Sequence, residues 1–148
     1  MIIKEAQRDL FAVSQGYYLG HCISSDFALG AGIAKQFDEI FDMRDKLRQE
    51  RELFKTIGAG NIGDVGSVVV IDNVFNLITK EKYWHKPTYE TLTAALIDMR
   101  EYMEEHLITK LAIPKIGCGL DRLEWDVVLE ILCDIFDDSD VEILVCTL

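Results

Sequence analysis

Leu111-Ala112-Ile113-Pro114-Lys115-Ile116-Gly117-Cys118-Gly119-Leu120-Asp121 is the stretch that decides the fold. A short apolar run feeds a two-glycine turn, an acid follows at once, and an amphipathic helix comes after it. That helix shows Trp125, Val128, Leu132, Ile135 and Phe136 on one face. A strand ending in glycines before a helix is how α/β proteins hold phosphate: bare backbone N–H groups converge and the helix dipole adds partial positive charge. A second glycine turn, Gly30-Ala31-Gly32-Ile33-Ala34, leads into a helical face of Ile33, Phe37, Ile40 and Phe41. Either turn alone is a common chain reversal. Two in matching contexts could grip a diphosphate from both sides.

Working outward, Ile2-Ile3 reads as a short strand and Tyr17 to Ile23 as a buried one. A polar helix continues through Arg44 to Glu52, and Gly58 to Gly63 breaks it. Val68 to Ile71 and Val74 to Ile78 are β-rich, with Asp72-Asn73 either turning a hairpin or bending one strand. Pro87-Thr88-Tyr89-Glu90 opens a helix with a capping threonine and an acid in its first turn. Val141 to Val145 is a closing strand. Strands alternating with helices predict an α/β three-layer sandwich with its ligand at the carboxyl ends of the strands.

The 148 residues are expected to form one domain, 1–148, with 49% hydrophobic and 28% charged residues. The net charge of −11 disfavours a long phosphate-backbone or anionic-membrane footprint. A small phosphate-bearing ligand would then be held by backbone N–H groups rather than by a basic patch. Cys22, Cys118, Cys133 and Cys146 lack C-x-x-C spacing, so no zinc is expected. The opening residues lack the regions of a signal peptide, which points to a cytoplasmic, non-membrane protein.

Five segments occur together in one order: His21-Cys22-Ile23-Ser24, Gly30 to Ala34, Leu77-Ile78-Thr79-Lys80, His85-Lys86-Pro87-Thr88-Tyr89-Glu90 and Ile116 to Leu123. In this the chain resembles macrodomains of the terminal ADP-ribose glycohydrolase type, from about Ile2 to Leu148. The resemblance implies a macrodomain-like α/β/α sandwich on a mixed sheet of about six strands. It implies a monomeric hydrolase that needs no cofactor or metal. Such enzymes remove mono-ADP-ribose from glutamate or aspartate esters, deacetylate O-acetyl-ADP-ribose, or in some members act on ADP-ribosylated nucleic acid. Carried onto this chain, Lys80 attacks the distal ribose and Asp121 helps resolve the adduct. Asp9 accepts from the adenine amino group beside Leu10, and Ser24 faces a ribose. The turns Gly30-Ala31-Gly32-Ile33-Ala34 and Gly117-Cys118-Gly119, with Thr79, Ile116 and Leu120 beside them, enclose the rest of the ligand. Ser24-Ser25-Asp26 stands where other hydrolytic macrodomains carry an asparagine-rich loop, which favours the lysine-using branch.

The residues alone leave plainer alternatives open. Lys80 could be a strand-end lysine reaching solvent. An ordinary lysine is neutral in only about one molecule in 2,500 at pH 7, so a nucleophilic one must shed its proton. Asp121 could cap the last helix, with Glu124 reaching back. Asp9 could be a turn residue and Ser24 a strand-end hydroxyl. His21 reads as core, Cys118 as a small residue setting the loop, and His85-Lys86 as a loop feature.

Overall fold

The computed structural model describes residues 1–148. Its six strands are β1 (Ile2–Gln7), β2 (Tyr18–Ser24), β3 (Ser67–Ile71), β4 (Val74–Lys80), β5 (Lys110–Ile113) and β6 (Glu142–Thr147). They form one mixed sheet in the order β1-β6-β5-β2-β4-β3. All neighbours are parallel except the β3–β4 pair. Asp72-Asn73 makes the hairpin: Ile71 pairs with Val74, and Asp72 takes φ 53°.

Four helices, α1 (Gly32–Phe41), α2 (Met43–Thr56), α3 (Tyr89–Glu105) and α4 (Trp125–Phe136), cover the two faces. Successive side chains on a strand point to opposite faces, and β4 is buried along both. Phe75 and Leu77 join Leu92, Met99, Leu132 and Phe136 under α3 and α4. Val74 and Ile78 join Phe37, Met43 and Leu47 under α1 and α2. A strand sandwiched this way reads as a continuous apolar run, which is what Val74 to Ile78 is.

Three elements differ from the sequence reading. The first strand runs on to Gln7, because Lys4 and Glu5 lie on an edge strand, where these consecutive side chains reach solvent on both faces. The second helical region is not a continuation of the first: Asp42 turns left-handed at φ 56° and ends α1. The Asp38 carboxylate then accepts from the Arg44 N–H at 2.9 Å and caps α2 from the preceding helix. Lastly, α4 starts at Trp125, so the second glycine turn is not its N-terminus, and Asp121 does not cap it.

Candidate active site

The carboxyl ends of β2, β4 and the chain leaving β5 surround a cavity of about 590 Å³. One wall is the first glycine turn, Gly30 to Ala34, which delivers the start of α1. Its N-cap, Ala31, has no side chain to offer, and no acid lies in the first turn. The first N–H groups of the helix are therefore open to an anion, with the dipole behind them. Gly32 sits at φ +59°, and a Cβ there would stand 3.2 Å from Leu120 across the cavity.

The opposite wall is Pro114 to Asp121. Beyond the second glycine turn the chain closes a small ring: Leu123 N–H donates to the Gly117 carbonyl at 2.7 Å and Arg122 N–H to Gly119 at 3.2 Å. Gly117 needs its φ of +74°, and a Cβ would come within 2.9 Å of Leu123. Gly119 has open space where a Cβ would stand, and no left-handed φ.

Lys80 and Asp121 meet at the cavity edge. Lys80 Nζ donates to Asp121 Oδ1 at 2.7 Å, across 41 residues of sequence. Both side chains are 14% exposed. A local cap for Asp121 is thus replaced by a tertiary ion pair. Cys22 lines the same cavity, and its thiol is pushed up to about 12 by burial first and then by the nearby Asp121 charge, which disfavours the thiolate. Burial also raises the Cys118 thiol, which donates to the Ile116 carbonyl at 3.3 Å.

Four residues expected at the ligand do not line this cavity: Asp9, Leu10, Thr79 and Cys118. Asp9 caps a short 3-10 turn, Leu10–Ala12, by accepting from the Phe11 N–H at 3.0 Å. Leu10 points into the core, and Thr79 is buried with its carbonyl accepting from Thr91 Oγ1 at 2.7 Å. The Cys118 side chain faces its own loop. Ser24, Gly30 to Ala34, Ile116, Gly117, Gly119 and Leu120 line the cavity with Lys80 and Asp121.

Sequence reasoning missed three other features. Asp26 is a hub: its Oδ1 accepts from the Ser24 hydroxyl at 2.5 Å and the Ala28 N–H at 3.1 Å, and its Oδ2 from the Tyr83 N–H at 3.1 Å. Burial pushes its carboxyl up, but these donors outweigh it and hold it below the ordinary carboxylate range. Lys86 and Lys115 line the cavity with Lys80, so three cations face the single acid Asp121 in a chain of net charge −11. At the rim, Tyr83 and Trp84 are 63% and 62% exposed, packed edge to face at 4.9 Å. His21 is a core residue as read. It stacks on Phe37 at 3.8 Å and shares a 2.6 Å hydrogen bond with Asn76 Oδ1.

This sheet order, with two glycine loops closing on a cavity at the strand ends, is the macrodomain architecture. The macrodomain of Mycobacterium tuberculosis DarG superposes with a TM-score of 0.81 at 23% identity, over 99% of this chain and 98% of that one. No family model matches the chain. In sequence it is 39% identical over 145 residues to the ADP-ribose glycohydrolase OARD1 of Bos taurus, covering 95% of this chain and 88% of that protein. It is 31% identical over 123 residues to the DNA ADP-ribosyl glycohydrolase of Mycobacterium tuberculosis, covering 79% of this chain and 34% of that protein. The chain belongs to the macrodomain family, in its terminal ADP-ribose glycohydrolase branch.

Proposed function

We propose that this protein hydrolyses mono-ADP-ribose from acidic side chains, with Lys80 as nucleophile and Asp121 as acid and base. The observation that carries this reading is the 2.7 Å pair of Lys80 and Asp121 at the edge of a cavity walled by two glycine loops. A diphosphate lies between the open N–H groups at the start of α1 and the Gly117–Gly119 turn. Lys115 adds charge there. Asp9 is exposed and spends only Oδ1 on its own turn, which leaves Oδ2 for the adenine amino group.

The chemistry starts with the proton that a lysine must lose. Asp121 is already hydrogen-bonded to the ammonium and takes it as substrate displaces water. The free Nζ then bonds to the anomeric carbon of the distal ribose. The bond from that carbon to the acyl oxygen breaks, and the side-chain carboxylate leaves with the electron pair and takes the proton that Asp121 holds, which returns Asp121 to its ionised form. Water, deprotonated by Asp121, attacks the same carbon; lysine leaves as the amine and takes that proton back from Asp121, which restores the starting pair. The sum is ester plus water giving acid plus ADP-ribose. O-acetyl-ADP-ribose fits the same cavity as a small acyl substrate.

The rim favours a second reading, ADP-ribose attached to a nucleobase. Two large exposed aromatic rings, three and four residues after Lys80 and preceded by Lys82, suit a stacked base and its phosphate. One assay separates the readings. Glutamate-linked ADP-ribosyl protein, an ADP-ribosylated oligonucleotide and O-acetyl-ADP-ribose are incubated side by side and free ADP-ribose is measured. Fastest release from the protein supports the first reading, and fastest release from the oligonucleotide supports the second. Release from none sinks the enzyme reading and leaves an ADP-ribose-binding module.

A further inference from the structure

The two residues of the pair sit on separate pieces of chain. Lys80 ends a strand, whereas Asp121 rides on the closed ring that follows Gly117. Hydrogen bonds within that ring fix its shape but not its distance from β4. The start of α3 touches both sides. On the lysine side, Thr91 Oγ1 donates to the carbonyl of Thr79, the residue before Lys80, at 2.7 Å. On the acid side, Lys86 Nζ donates to the carbonyl of Leu120, the residue before Asp121, at 2.9 Å. The Tyr89 hydroxyl accepts from the N–H of Glu124 at 3.1 Å, at the other end of the same stretch. The helix start is itself fixed, with Pro87 buried and Thr88 and Thr91 forming a reciprocal cap.

Lys86 is exposed, and an exposed lysine ordinarily leaves its head in water. Here the ammonium makes a charge-assisted hydrogen bond to a backbone carbonyl that has no other role in the fold's ladders. Together with Tyr89 it brackets Asp121 from both sides in sequence.

We propose that Lys86 and Tyr89 are positioning residues that hold the Asp121 loop against β4 and so set the separation of Asp121 from Lys80. They act through the Leu120 carbonyl and the Glu124 N–H. This rests on the pair acting as described under the proposed function. Misplacing a reacting group by about 1 Å can cost as much as 10²-fold in rate while leaving binding intact. The rate should therefore be the quantity that responds.

The experiment measures kcat on glutamate-linked ADP-ribose and Kd for free ADP-ribose in wild type, Lys86→Met, Lys86→Arg, Tyr89→Phe and Lys80→Ala. Lys86→Met and Tyr89→Phe are each expected to lower kcat by roughly ten- to a hundredfold, with Kd within about twofold of wild type. Lys86→Arg, which can still donate to the carbonyl, should recover most of the rate. Unchanged kcat in both Lys86→Met and Tyr89→Phe beside an inactive Lys80→Ala overturns the positioning role alone. A raised Kd with kcat kept also overturns it, since Lys86 would then be a ligand contact. An active Lys80→Ala overturns the pair's chemistry and this inference with it.

Discussion

Lys80→Ala is expected to abolish turnover of glutamate-linked ADP-ribose while keeping most of the affinity for free ADP-ribose, because an attacking amine contributes chiefly in the transition state. Lys80→Arg should be equally inactive, since guanidinium stays protonated and cannot attack. Asp121→Ala keeps the lysine but loses the base that both frees the amine and activates water, so it is expected to be inactive, and any covalent lysyl adduct of ADP-ribose that it forms should persist in intact-protein mass spectrometry and be absent from both Lys80 variants. Near wild-type turnover by Lys80→Arg would remove the covalent route and leave Asp121 to activate water directly. At this scale the sequence was legible where order along the chain carried information. Lys80 and Asp121 stand out only because five short motifs recur in one register. What was not legible depended on partners distant in sequence. Asp121 followed by Glu124 has the pattern of a local cap, but the ion pair with Lys80 outcompetes it. Asp26 draws its donors from Ser24, Ala28 and Tyr83, and no spacing announces that hub. Lys86 looked like a loop feature because nothing periodic marks a lysine whose acceptor lies 34 residues away.

At the scale of the elements, the two glycines of the second turn are predicted to behave differently. A Cβ at position 119 meets nothing within 4 Å, so Gly119→Val should fold with a near-normal Tm yet lose ADP-ribose binding by calorimetry, because the side chain stands where the ligand approaches. Gly117→Val must adopt a left-handed φ with its Cβ against Leu123, so it should deform the ring and lower Tm as well. Normal binding by a folded Gly119→Val would take this loop out of the site. The glycine loops, the helix start at Thr88 and most strands were readable from pattern, since a period of two or 3.6 survives whatever packs against it. The break at Asp42 was not, because the cap for α2 comes from Asp38, a residue inside the preceding helix. The helix face read from Trp125 onward matches α4, but the capping box open to Asp121 and Glu124 does not form, because Arg122 is held at φ 63° by the closed ring.

At the scale of the whole molecule, acid sensitivity is expected to centre on His21. Asn76 Nδ2 donates to the Val69 carbonyl at 3.1 Å, which leaves Oδ1 as an acceptor, so His21 Nε2 carries the proton in the 2.6 Å bond between them. Complete burial, only partly offset by that bond, lowers the imidazole from its ordinary 6.5 to about 4. The unfolded chain therefore binds a proton below 6.5 that the folded chain refuses until about 4, so stability falls as pH drops through that window. The loss is about 1.4 kcal/mol per pH unit, roughly 3 kcal/mol in all. Urea midpoints from pH 7 to 4 should show this slope in wild type, and His21→Gln should have a shallower one whatever its absolute stability. Equal slopes would exclude His21 as the source. Binding is predicted at the same scale: ADP-ribose should bind about 1:1 in EDTA and AMP far more weakly, because AMP engages only part of a cradle built by two loops. Equal affinity for AMP would mean that the second phosphate and distal ribose go unread.

The sheet order has a consequence for how the protein is made. β1 has β6 as its sole neighbour, with Ile2 opposite Glu142, and β6 separates it from β5. As the chain leaves the ribosome, the strand synthesised first must wait, unpaired, for a strand synthesised more than a hundred residues later. Such long-range pairing comes slowly, after the closure entropy of the intervening chain has been met. A nascent chain halted after Asp140 should thus carry an orphaned first strand and an open edge at β5, and remain sensitive to protease. The same chain extended past Thr147 should become resistant in one step.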